Sequence, residues 1–550
     1  MHRILLVSAV ILTIGCTDND CAVDNDSGTS PVSDVVEIAE TVDLAPEDVQ
    51  LVALEFPPEF RFGASTSAHQ VEGGQKNNWT LWETLEYSSG FVADSSGDAS
   101  DQYNRFEEDM DLVQWMGLDV YRFSIEWSRI EPERGVYDQD EIAHYLEVLK
   151  AMEQRGIKPS VTLHHFTEPR WFTDLSKLSQ PVNDSFCPDG PSDTDFCFWS
   201  NPDAPAVFGE FCGLMAKEYG AYVDEWMTFN ELSGYWIQST IMGDFPPGLT
   251  ASTQDEIDQV ALPVLKGLLG AHAACYKAIH ENDKTDADGD GQAARVGLTT
   301  GTGAVYPADK NNPDDVAAAA QGKSLATFLV FDAVIDGMLD ADFDGTPEEA
   351  HDDWKGTMDI IGLQYYASTV VVGLQIHPLL LGVPCTNVED EVLMALQIAA
   401  GCPPPPTPDF PMGPEPPGET WGRQHDPDGL LQVLGDLNDR FGDMPIVITE
   451  HGYADNDYKR AGALVRHLER CHEAIESGIP LEGYYHWSLL DNFEWGHGFA
   501  IRFGLFHVDY ETQKRTPTVA AEVYKQIAEP RGISEEILEQ WGGSGALPAE

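Results

Sequence analysis

The chain has 550 residues, 42% of them hydrophobic and 10% aromatic, enough for one large globular domain with insertions or for two or three average ones. Asp and Glu number 93 against 31 Lys and Arg, a formal net charge of −62. So negative a surface argues against nucleic acid and anionic lipid as partners and suits solubility in a saline medium, where screening softens self-repulsion.

His2-Arg3 is a short positive segment, and Ile4–Ile14 is an apolar run too short to span a bilayer as a mature helix. Gly15-Cys16 follows, with Thr13 where Leu is commonest. The pattern resembles a bacterial lipobox. It predicts a signal peptide over residues 1–16, export to the cell envelope and a lipid anchor at Cys16; an ordinary secretory signal is the alternative. Residues 17–55 hold no Lys or Arg and many acidic residues, which predicts a disordered tether. Nine cysteines fit an exported chain. Cys187 with Cys197, and Cys385 with Cys402, are placed to close local disulfides. Cys212, Cys275 and Cys471 fall in helical patterns and read as buried thiols. No Cys/His spacing suggests zinc.

From residue 56 short apolar or β-branched runs alternate with longer helical patterns. Strands are predicted over Phe62–Ser67, Asp119–Ile125, Pro159–His165, Trp226–Asn230, Val296–Thr300, Ile360–Tyr365, Ile446–Thr449 and Tyr484–Leu489. Helices are predicted over Tyr103–Trp115, Asp140–Arg155, Ala206–Tyr219, Leu262–Glu281, Gly429–Phe441 and Lys459–Ser477. Eight such alternations predict an α/β fold, a single (β/α)₈ TIM barrel over residues 56–530 with a tail over 531–550. Two long connections, Asp174–Phe198 and Thr369–Gln424 with its run Pro403–Pro406, both follow strands. They therefore belong to the face that carries active residues. Asp286-Ala-Asp288-Gly-Asp290-Gly291 and Asp340-Ala-Asp342-Phe-Asp344-Gly345 begin like calcium loops, but position twelve is Gly297 in one and His351 in the other rather than Glu. They read as solvated acidic turns, with calcium the alternative, and no metal is assigned.

Two predicted strands end by presenting a carboxylate: WMTFNE at Glu231 and IVITEHGY at Glu450. A carboxylate pair delivered from two strands is what glycoside hydrolysis requires. Other motifs surround them in chain order: RFGASTSAHQVEGG with Gln70, YRFSIEWSRI with Arg122, VTLHHF with His165, LQYY with Tyr366, GYYHWSLLDNFEW with Trp487, Glu494 and Trp495, and RFGLFHVD. Together these resemble the family-1 glycoside hydrolases, the β-glucosidase and β-galactosidase group, across about residues 56–530.

The resemblance implies a retaining β-glycosidase with Glu231 as acid/base and Glu450 as nucleophile. Arg122 and Tyr366 would orient Glu450. Gln70, His165, Asn230, Trp487, Glu494 and Trp495 would bind the sugar, Asn230 at its 2-hydroxyl. Glu231 must hold a proton to donate to the leaving oxygen, and Glu450 must be ionised to attack. β-Glycosides or short oligosaccharides are the expected partners, and no cofactor is needed. Taken singly, Trp487 and Trp495 read as core aromatics, His165 as a satisfied barrel histidine and Arg122 as a structural ion pair; order and strand placement together carry the reading. His164 should point away from His165 along the strand. Three departures bear on the site: Leu232 replaces the usual Pro, His451 and Gln364 each replace a usual Asn. Transglycosylation and a catalytically silent carbohydrate-binding protein are the alternative functions.

Overall fold

Eight parallel strands close into one barrel. They are β1 (Arg61–Ser65), β2 (Val120–Ser124), β3 (Lys158–Thr162), β4 (Glu225–Met227), β5 (Arg295–Thr302), β6 (Ile360–Tyr365), β7 (Ile446–His451) and β8 (Leu481–Trp487). Neighbours in sequence are neighbours in the barrel, and β8 returns to β1. The computed structural model describes residues 52–85, 92–173, 175, 191–192, 195–375, 377, 379, 381–385, 399, 401–402, 425–454, 457–543 and 547. The signal segment with Cys16, the tether up to residue 51, Cys187 and Pro403–Pro406 lie outside them.

All eight predicted strands are present, and two stop three residues before their predicted ends: Pro159–His165 at Thr162 and Trp226–Asn230 at Met227. Trp226–Asn230 is expected to be extended throughout, but the ladder of β4 stops at Met227. Thr228 N and Asn230 N still donate to Gly297 O and His164 O, at 2.9 and 2.8 Å. The chain is turning there to set up Glu231, so continuous pairing cannot persist.

Side chains fill the barrel in layers, as parallel barrels require. At the N-terminal end Arg61 Nη1 donates to Glu225 Oε2 at 2.6 Å, and Tyr485 OH donates to Glu225 Oε1 at 3.1 Å. Above them Val120, Met227, Ile360, Val447 and Tyr485 form an apolar plug.

Helices α1 (Gln102–Trp115), α2 (Gln139–Gln154), α3 (Ala204–Tyr219), α4 (Leu262–Asn282), α5 (Pro313–Lys323), α6 (Pro427–Phe441), α7 (Asp457–Glu476) and α8 (Val519–Ala528) lie outside the strands. Helix α2 illustrates why they form. Asp138 caps it by accepting from Asp140 N and Glu141 N, and Ile142, Tyr145, Leu149 and Met152 recur at helical spacing on the buried face. Each such side chain contributes about 1.5–3 kcal/mol by burial. Helices α5 and α8 are additions to the predicted series.

Helices α3 and α4 correct one expectation. Cys212 and Cys275, read as buried thiols, form a disulfide with Cα atoms 5.3 Å apart. Gly209 lets the helices approach, since a Cβ there would meet Ala274 Cβ at 3.2 Å. Facing cysteines then come within bridging range. Cys385 and Cys402 are bridged, Cys197 is disulfide-bonded, and Cys471 is a buried free thiol.

The connection after β6 is not simple loop. Thr369–Val372 pairs with Val383–Cys385 and with Val305–Pro307, giving a small sheet at the C-terminal ends of β5 and β6. Val52–Glu55, the last four residues assigned to the tether, pair antiparallel with Gly532–Ser534. Helix Glu535–Trp541 follows and buries Trp541. The folded unit thus runs past both predicted limits, 56 and 530. Each acidic turn is satisfied by its own backbone: Gly289 N and Gly291 N donate to Asp286, and Asp344 N and Gly345 N to Asp340. The carboxylates of Asp224, Asp286 and Asp288, and of Asp340, Asp342 and Glu348, converge in two clusters.

Candidate active site

Glu450 is the fifth residue of β7 and is buried at the barrel mouth. Arg122, the third residue of β2 and fully buried, donates Nη1 to Glu450 Oε1 at 2.5 Å and Nη2 to Asn230 Oδ1 at 2.6 Å. Tyr366 OH donates to Glu450 Oε2 at 2.7 Å. Both carboxylate oxygens therefore accept a hydrogen bond, one of them from a fixed cation, which favours the ionised, oriented state.

Glu231 follows β4 with backbone angles φ 43° and ψ 54° and begins the short helix Leu232–Ile237. A non-glycine residue in the left-handed region costs of order 1–3 kcal/mol, and such residues cluster at active sites. Its backbone N donates to Thr299 Oγ1 on β5 at 2.8 Å, which pins the bend. The residue is 7% exposed, so it lies largely out of water.

The wall beside the two carboxylates is aromatic and amphipathic. His165 stacks on Trp487 and Trp495, with ring centroids 5.8 and 6.1 Å away. Burial and the nearby Arg122 guanidinium hold its pKa well below the usual histidine range, so the ring is neutral at neutral pH. Its Nδ1 has no hydrogen-bond partner among the described residues, unlike a satisfied barrel histidine. His164 points the other way, as expected: its Nε2 meets Glu168 Oε1 at 2.9 Å, and its ring packs on Trp199 and Phe229.

Gln70 is fully buried. Its Nε2 donates to Phe493 O at 2.9 Å, Asn492 Oδ1 at 3.1 Å and Glu494 Oε2 at 3.3 Å, while its Oε1 accepts from Ser67 Oγ. That places Glu494 beside Gln70 with a donor to its carboxylate. Trp495, held at φ 48°, packs against His69 at 5.3 Å and Trp79 at 4.7 Å. Trp487 closes β8 and packs with Ala454, Phe503 and Tyr366.

The ten site residues expected from sequence thus come to one mouth of the barrel. The departures resolve in different ways. His451 turns away from the cleft: its Nδ1 lies 2.5 Å from Tyr484 OH and its ring 3.8 Å from that of His467. Gln364 hydrogen-bonds within the site: its Nε2 donates to Asn230 Oδ1 at 2.6 Å. Thr299 and His69 were not singled out from sequence. Thr299 Oγ1 also reaches Asn230 Oδ1 at 3.4 Å; the lone signal for it is its place near the end of a strand. His69 precedes Gln70 in the same motif, which is the signal that was available for it.

The ends of β7 and β4 each carry a buried glutamate, one of them clamped by a cation and a phenol, and neighbouring strand ends carry rings, amides and a third carboxylate. Such a cleft can stack the apolar face of a sugar, bind its hydroxyls and divide acid and nucleophile between two side chains. The model of "Glycosyl hydrolase family 1" matches residues 52–181 and 192–533. A β-galactosidase of Pyrococcus woesei is 27% identical over 88% of this chain and 99% of its own length. β-Glucosidase A of Thermotoga maritima is 26% identical over 88% and 99%. The solved β-glycosidase of Pyrococcus horikoshii superposes with a TM-score of 0.71 at 28% identity, covering 90% of this chain and 99% of that one. The chain belongs to glycosyl hydrolase family 1 and is an O-glycosyl hydrolase.

Proposed function

We propose that this hydrolase removes terminal non-reducing β-linked sugars, β-glucosides first among them, by double displacement. Glu231 donates its proton to the glycosidic oxygen while a Glu450 oxygen attacks the anomeric carbon. The aglycone leaves as an alcohol, and the sugar stays as an ester of Glu450. The Glu231 carboxylate then takes a proton from water, whose oxygen attacks the same carbon and frees Glu450. Anomeric configuration is retained because it is inverted twice. The observation that carries this reading is the clamp on Glu450: Arg122 on one oxygen and Tyr366 on the other. A carboxylate so held is a ready nucleophile rather than a proton donor.

For the sugar, Gln70, Glu494 and the neutral His165 offer hydroxyl partners, and Trp487 and Trp495 offer apolar faces. The relatives named above include both β-glucosidase and β-galactosidase, so β-galactosides are the second substrate class. A panel of p-nitrophenyl β-glucoside, β-galactoside and β-fucoside tests the proposal. The wild type should hydrolyse the glucoside fastest, and Glu450→Gln should lose activity by roughly 10⁴-fold or more. A well-folded wild type inert towards every glycoside would instead make the protein a binding module, and oligosaccharide products in dilute acceptor would make it a transglycosylase.

A further inference from the structure

Gln364 sits on β6, fully buried, with its Cα in register with Glu450 on β7 and Gly301 on β5. The hydrogen bonds around it read in one direction only. Arg122 Nη2 can only donate, so the Asn230 atom 2.6 Å from it is the amide oxygen. The Gln364 atom 2.6 Å from that same oxygen must then be its nitrogen. Thr299 accepts from Glu231 N and turns its hydroxyl proton towards Asn230 Oδ1 as well. Three donors thus converge on one oxygen. The Asn230 Nδ2 group, on the other arm of the amide, is left for the cleft. Flipping that amide would set its NH₂ group against the Arg122 and Gln364 nitrogens, both donors.

We infer that Gln364 is a positioning residue: it locks the Asn230 carboxamide so that Nδ2 is presented to the substituent at C2 of the sugar. The inference rests on the glycosidase reading of this site. Arg122 alone is a poor lock, because its other arm serves Glu450, whose negative charge disappears when the sugar ester forms and returns when it is hydrolysed. A neutral amide on β6 holds Asn230 equally through both half-reactions. An Asn at position 364 would end one carbon–carbon bond short of this contact. The remaining oxygen of Gln364, Oε1, is buried without a hydrogen-bond partner among the described residues. It is therefore the Asn230 contact that holds this side chain in place.

The test compares kcat/KM for p-nitrophenyl β-glucoside and its 2-deoxy analogue in wild type, Gln364→Glu and Gln364→Asn. Glu is isosteric but offers an acceptor where Gln offers a donor, so it should break this lock on the Asn230 amide. The glucoside/2-deoxyglucoside ratio should fall about tenfold or more in Gln364→Glu, with the loss in kcat rather than KM, and by a smaller factor in Gln364→Asn. Equal losses on both substrates, or an unchanged ratio, would overturn the positioning role. If Gln364→Glu does not fold, the Asn variant decides on the same ratio. A wild type that cleaves no glycoside would remove the glycosidase reading itself. An active wild type with an insensitive ratio would remove this inference alone.

Discussion

The two oxygens of Glu450 have unequal partners: a buried guanidinium holds Oε1 and a phenol holds Oε2. Removing the phenol leaves the ion pair intact, so its share can be measured alone. A hydrogen bond to a charged group contributes about 1.5–3 kcal/mol. Tyr366→Phe should therefore lower kcat by roughly 10- to 150-fold with little change in KM, read by steady-state kinetics on the aryl glucoside. An unaltered kcat would show that Arg122 alone orients Glu450. At this scale residue types were legible in the sequence, since Gln70, Asn230, Glu231 and Glu494 sit in short motifs. Direction and partner were not. Nothing local to LQYY tells that Gln364 reaches across to Asn230, because that contact joins β6 to the turn after β4. Nor does ITEHG tell that His451 turns back towards Tyr484 and His467.

Among elements, the barrel strands were readable because parallel strands buried on both faces leave near-continuous apolar runs. The end of β4 was misread because WMTFN keeps strand-like composition after the chain has begun to bend towards Glu231. Helix α5 was missed because its Ala-rich stretch has little contrast between faces. The Cys212–Cys275 bridge was illegible because its partners lie 63 residues apart, and only helix packing reveals them. Helix α7 carries a consequence of such packing. His467 is fully buried behind β7, with Nδ1 2.8 Å from Ala463 O and Nε2 lacking a partner among the described residues. Burial pushes its pKa down from 6.5 to about 4. The folded state then binds fewer protons than the unfolded chain between these values. Its contribution is complete above pH 6.5 and is lost as pH falls towards 4. Between pH 6.5 and pH 5 that loss is about 2 kcal/mol. His467→Gln should therefore show a smaller drop in unfolding free energy over this interval than the wild type, measured by urea denaturation. Equal drops would mean that His467 is not an acid-sensitive element.

At the scale of the whole molecule, the charge and the chemistry are separable. The net charge of −62 is a property of composition, whereas the active centre is a small set of buried groups held by specific partners. Several scarce cations are spent on internal pairs: Arg122 with Glu450, Arg515 with Asp109, and Arg61 with Glu225. Global architecture was legible because eight strand–helix alternations admit few closed arrangements. The exact limits of the folded unit were not, since Val52–Glu55 becomes a strand through pairing with Gly532–Ser534 near the opposite end of the chain. The account rests above all on covalent attack by Glu450. Incubation with 2,4-dinitrophenyl 2-deoxy-2-fluoro-β-glucoside slows both steps but leaves the better leaving group able to depart, so the ester should accumulate. Mass spectrometry of the digested protein should find one fluoroglucosyl unit on the peptide that contains Glu450. An active enzyme that carries no adduct, or carries it on another residue, would contradict the assignment.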